Sequence, residues 1–163
     1  MSEYRYTLRR SLGLNSWRVA NEPALVWIML NPSTADGTTD DPTIRRVIDF
    51  TNRLGYRELT VVNLYARRAT DPRDLWRSAD PIGASNDATI REEAERDVLS
   101  GAPIVAAWGV HAKPERVAQV VNIPHVASRL HCLGVTKSGA PRHPLYLPRT
   151  ATLVPWPILD GSH

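Results

Sequence analysis

Five apolar residues in a row, Val26-Trp27-Ile28-Met29-Leu30, run directly into Asn31-Pro32-Ser33-Thr34. Val26, Trp27 and Ile28 are β-branched or aromatic, and no polar residue alternates with them, which describes a strand buried on both faces. Strands of that kind belong to parallel sheets covered by helices, so the chain is expected to fold as an α/β domain. Asn-Pro-Ser-Thr is a cluster of turn formers and ends the strand at once. In open α/β sheets ligands bind just beyond the carboxyl ends of the strands, so Asn31 stands where a site is expected.

At 163 residues the chain has the length of one domain, 1–163, and its 42% hydrophobic and 23% charged residues are those of an ordinary globule. A net charge of +3 and an isoelectric point near 9.3 fit an anionic partner without demanding one. The single cysteine, Cys132, excludes an internal disulfide and a four-cysteine metal or iron–sulfur site. No apolar run approaches the roughly 20 residues that span a bilayer. The polar, charged residues 1–10 do not read as a signal peptide, so a cytoplasmic location is expected.

Residues 4–9 alternate Tyr4, Tyr6 and Leu8 with Arg5, Thr7 and Arg9, the pattern of a half-buried strand at a sheet edge. Residues 13–16 form a turn candidate, returning through Trp17-Arg18-Val19. After the buried strand at 24–30, Asp41-Pro42 gives a helix an N-cap and a first-turn proline. Ile44, Val47, Ile48 and Leu54 then recur at helical spacing with Thr51 on the same face, and Gly55 ends the helix.

A second strand, 59–64, again carries an asparagine near its end, Asn63. Strand, helix and strand over this length form a crossover unit with parallel strands. Residues 65–86 lack a clean period and read as a long basic loop with Arg67, Arg68, Arg73 and Arg77. Asn86-Asp87 is expected to cap a helix to about residue 99, with Ile90, Ala94 and Leu99 inward and Glu92, Glu93, Glu95 and Arg96 outward. Strands at 103–108 and 130–135 flank a helix at 114–121. Prolines 141 and 144 stiffen the connection around His143, and 152–157 is a last extended segment.

The loops after the four core strands begin with Asn31-Pro32, Asn63, Trp108-Gly109 with His111, and His143-Pro144. Parallel strands would bring these groups to one sheet edge. Each also has a structural use: asparagine as a turn residue, Trp108 as core, His143 as loop surface. His125, His131, Cys132 and His143 lack the ligand spacing of a zinc site, and residues 34–39 lack the glycines of a phosphate loop. No metal or cofactor is expected.

In their order, Asn31-Pro32, Asn63, Trp108-Gly109-Val110-His111-Ala112 and His143-Pro144-Leu145 resemble the motifs of the uracil-DNA glycosylase superfamily. Nearly the whole chain also resembles a family of small bacterial proteins of unassigned function marked by Asn-Pro-Ser-Thr-Ala-Asp and His-Pro-Leu-Tyr. The first resemblance implies a three-layer α/β/α domain around a central four-stranded, mainly parallel sheet. It implies an N-glycosidase that flips a damaged or modified base and attacks the sugar with water.

Under that resemblance Asn31 positions the water, Asn63 reads the edge of the base, and His143 donates to a base carbonyl. Leu147 falls at the position of the superfamily's intercalating wedge. Pro32, Trp108 and His111 complete the matching motifs, and Ser33 beside Pro32 is a further candidate for binding the substrate. Arg67 and Arg68, outside the motifs, are candidates for holding a phosphate of DNA or of a nucleotide.

The chain departs from the pattern at Met29 (glycine in the superfamily), Ser33, Leu145 and Tyr146. Met29 narrows the approach of a sugar, and Leu145 cannot donate to phosphate. Two further readings stay open: a non-catalytic module binding a nucleotide or modified base, and a glycosidase of free modified nucleotides.

Overall fold

A computed structural model describes residues 2–12, 23–33 and 39–157. The turn expected at 13–16, its return through 17–19, and most of the 34–39 segment lie outside the described residues. Strand β2 (Leu25–Met29) is buried at every position. It pairs in parallel with β3 (Glu58–Asn63) on one side and β4 (Ile104–Ala106) on the other. Strand β5 (Leu130–Cys132) continues the parallel set beyond β4.

Short antiparallel strands close both edges. They are β1 (Leu8–Ser11) against β3 and β6 (Val154–Pro155) against β5. The sheet therefore has six strands in the order β1-β3-β2-β4-β5-β6, not four. The two additional strands come from the N-terminal segment and the tail.

Alternation along β2 assigns each side chain to a face. Leu25, Trp27 and Met29 pack with Ile44, Val47 and Phe50 of α1 (Pro42–Arg53). Val26 and Ile28, with Leu30 beyond them, pack with Ile90 and Ala94 of α3 (Asn86–Arg96) and Val120 of α4 (Pro114–Val121). Helices thus cover both faces, which is why this strand is apolar throughout. The one polar atom of Trp27 is satisfied: its Nε1–H donates to Thr51 Oγ1 at 3.0 Å, and Thr51 donates to Val47 O at 2.7 Å. That accounts for a threonine on the apolar face of α1.

Local signals explain α1. Asp41 Oδ1 accepts from the Ile44 N–H at 2.8 Å and Pro42 fills the first turn. Asp71-Pro72 repeats the device for α2 (Pro72–Arg77), a six-residue helix inside the segment read as loop. It is too short to display a period, but it buries Leu75.

Other expectations are corrected. The edge strand lies at 8–11 rather than 4–9. Tyr4 and Tyr6 stack on each other, ring centroids 6.1 Å apart, and pack over Gly83. Asn86 does not cap α3; Ser85 precedes the helix, and the buried Asn86 Nδ2 donates to Asn63 O at 2.9 Å and Leu64 O at 3.1 Å. The α-helix ends at Arg96, so Leu99 falls out of phase in a 3-10 turn and is fully exposed. Glu93 turns inward, where it meets Arg9 and Arg96.

Two buried arginines tie carbonyls at strand and helix ends. Arg116 Nε donates to Leu64 O at 2.7 Å, and its NH2 group pairs with Asp87 at 2.7 Å. Arg129 donates to Ala102 O at 2.7 Å and Ala94 O at 2.5 Å. Arg116 and Asn86 together fix the main chain where β3 ends.

Candidate functional site

The chain passes from β2 to β3 on one side and reaches β4 on the other, so β2 and β4 flank a topological switch point. A cavity of about 450 Å³ opens there, beyond the carboxyl ends of the strands. Its lining includes Asn31, Pro32, Ser33, Asn63, Trp108, His111 and His143, seven of the ten residues singled out from the sequence. Met29, Ile44, Val61 and Trp108 supply apolar surface. A mostly apolar cavity with a few convergent polar groups is the usual form of a small-molecule site.

Asn31 follows β2. Its Nδ2 donates to Ala69 O at 2.7 Å and Pro32 O at 3.0 Å. With the amide nitrogen committed, Oδ1 is the side chain's acceptor. Asn63, the last residue of β3, is 3% exposed, and its Oδ1 is buried without a hydrogen-bond partner. A buried carbonyl left unpaired costs about 1–3 kcal/mol. Asn63 also lines the cavity, which makes its unpaired carbonyl a candidate acceptor for a donor.

Trp108 is buried, with its ring edge-to-face on Trp156 at 5.1 Å. Gly109 then turns the chain with φ +76°, a conformation that favours glycine, and its N–H donates to Pro141 O at 2.9 Å. This bond brings the His143 loop against the end of β4.

His143 Nδ1 accepts from the Leu145 N–H at 3.2 Å, which puts the proton of the neutral ring on Nε2. Burial pushes the imidazole below its ordinary pKa, and the charge of Asp41 opposes that only in part. The neutral ring, a donor at Nε2, is the favoured form.

A stability consequence follows. Between the lowered folded value and the ordinary value near 6.5 the unfolded chain binds more protons, so stability falls as pH drops through that window. Denaturant titrations from pH 7.5 to 4.5 are expected to show a smaller acid loss in His143→Gln than in the wild type. Equal pH slopes in the two proteins would remove the burial effect.

The structure adds residues that the sequence reading did not place here: Arg5, Asp41, Thr70, Arg142 and Tyr146 all line the cavity. Asp41 was legible as a helix cap; nothing in the sequence indicated that the cap faces the strand ends. Ser33 Oγ donates to Asp41 Oδ2 at 2.7 Å. Arg5 is half-buried beside Arg68, and burial, reinforced by that like charge, lowers its pKa.

Three candidates lie elsewhere. Arg67 pairs with Glu3 at 3.6 Å and lies over the Tyr4 ring, away from the cavity lining. Arg68 is beside Arg5 but does not line the cavity. Leu147 is 5% exposed, packed in the cluster that holds Val105 and Leu133, so it is core and not a wedge. The exposed apolar residues at the rim are Val110, Leu145 and Tyr146, the last 72% exposed.

Among the described residues no group of three or more His, Cys, Asp or Glu is placed to hold a metal ion. No described helix is long and apolar enough to cross a membrane. Residues 5–145 match a family model described as a protein of unknown function, DUF1643. No curated protein and no solved structure matches the chain.

Proposed function

The chain belongs to the DUF1643 family of proteins of unknown function, and we propose that its cavity is the site of an N-glycosidase that releases a damaged or modified base from nucleic acid. The observation that carries this reading is the buried, unpartnered Oδ1 of Asn63 in a wall shared with the neutral donor His143. An acceptor and a donor lining one cavity can complement a lactam edge, in which an N–H adjoins a carbonyl. Uracil and hypoxanthine carry such an edge, as do thymine and guanine; cytosine and adenine present the reverse pattern at the corresponding positions.

The chemistry suits the parts. Breaking an N-glycosidic bond leaves negative charge on the base, and a fixed donor at the base carbonyl stabilises it as it forms. Asn31 Oδ1 orients the water. Trp108 and the apolar floor surround a base taken out of its stack. In this reading the four parallel strands β3-β2-β4-β5 are the core of a glycosylase-type sheet, and Leu145 and Tyr146 stand at the nucleic-acid side of the cavity.

A glycosidase of free modified nucleotides is the second reading, and Arg5 favours it. Arg5 lines the same cavity and would bring a cation to a nucleotide phosphate there. Arg5 takes the role first given to Arg67.

The test is base release from oligonucleotides carrying uracil, hypoxanthine or hydroxymethylated bases, read by cleavage at abasic sites, with the free nucleotides assayed in parallel. Release from an oligonucleotide is the expected result, with binding that weakens steeply as salt rises because several phosphates are engaged. Release from free nucleotides alone selects the second reading. Binding with no release from either would leave a recognition module and end the glycosidase proposal.

A further inference from the structure

We infer that Asp41 is the carboxylate that takes the proton from the attacking water, an inference that rests on the glycosidase reading of the cavity. Asn31 cannot do this. An amide does not accept a proton at neutral pH, and the Asn31 nitrogen is held by two backbone carbonyls. Asp41 is the one acidic side chain among the described residues that line the cavity.

Its position is fixed on both oxygens. Oδ1 accepts from the Ile44 N–H at 2.8 Å, and Oδ2 accepts from Ser33 Oγ at 2.7 Å. A carboxylate offers about four acceptor positions, so each oxygen keeps room for a further donor. Both bonds hold the carboxylate at the amino end of α1. Asp41 lines the cavity together with Arg5 and His143, and its charge acts on both.

In the step so arranged, the water oxygen bonds to C1′ of the sugar while the C1′–N bond breaks. The bonding pair leaves on the base nitrogen, and the hydrogen bond from His143 to the base carbonyl spreads the charge. One water proton passes to Asp41, which returns it to solvent, and solvent protonates the departed base. Before the proton moves, the same carboxylate faces the positive charge that develops on the sugar ring.

Asp41 also caps α1, so the variants must separate cap from catalyst. Asparagine caps as well as aspartate does, and glycine is also well tolerated at an N-cap. Asp41→Asn is expected to fold and to bind the free base within a few-fold of wild type, yet to release base about 10²–10⁴-fold more slowly in single turnover. Asp41→Gly is expected to be equally slow but to recover part of its rate in formate, which supplies a carboxylate in the vacated space. Chloride at equal ionic strength is the control.

A purely structural role would not respond to formate. Wild-type release rates in Asp41→Asn, or a loss in Asp41→Gly that formate leaves unchanged, would overturn the inference alone. No release by wild type from any substrate overturns the glycosidase reading and this inference together.

Discussion

Truncation of His143 to alanine is expected to lower the rate of base release by about 10²–10³-fold, the usual cost of removing one preorganised donor from a developing anion. The size of the effect follows from how the ring is held. Its Nδ1 is occupied by the Leu145 N–H, burial keeps the ring neutral, and the loop that carries it is tied to β4 through Gly109 and Pro141. Nothing needs to reorganise as charge moves onto the base. The loop has independent supports: Arg46 donates to the carbonyls of Pro144 and Leu147, and Arg142 to that of Tyr146. The loss should therefore appear in the chemical step more than in the fold. Single-turnover release and a melting curve on the same preparation check it. A rate within a few-fold of wild type would remove His143 from the reaction.

The parts of the site that were legible in the sequence are those that a parallel sheet dictates. Asn31, Asn63 and Trp108 follow apolar strand runs, and such runs pin chain position closely enough to bring their ends together. His143 arrives by a different route, through the Gly109–Pro141 bond rather than through a long fourth strand, since β5 is only three residues. Its place at the sheet edge was expected from the end of a fourth parallel strand, whereas the physical cause is a loop contact.

What was not legible depended on local turns and on long side chains. A 3-10 turn over Pro144–Tyr146 sends the chain inward, so Leu147 enters the core and apolar exposure moves to Leu145 and Tyr146. Spacing from the histidine could not reveal that rotation. Arg116, Arg129 and Glu93 carry charges that hydropathy assigns to the surface, yet their hydrogen bonds or ion partners are met inside or near the core. Arg5 reaches the cavity because residues 4–7 pack on the loop after β3 instead of extending the edge strand, with its N–H bonded to Ala66 O.

Asn63→Leu is expected to move stability and binding in opposite directions. Leucine is close to asparagine in shape and has no polar atom to satisfy. The wild-type Oδ1 is buried and unpartnered, so its removal should leave the fold as stable as wild type or about 1 kcal/mol more stable. The main chain there does not depend on that side chain: Asn86 holds the Asn63 carbonyl, Arg116 holds that of Leu64, and the Leu64 N–H donates to Met29 O at 2.9 Å. Affinity for a base with a lactam edge should fall about 5–150-fold, because the base N–H would be buried without a partner at a cost of roughly 1–3 kcal/mol. Denaturant titration and calorimetry with free base measure the two effects on one protein. A variant that is both less stable and unchanged in binding would make Asn63 a packing residue. The expected pair, gained stability with lost affinity, is what a group retained for a ligand at the expense of the fold should show.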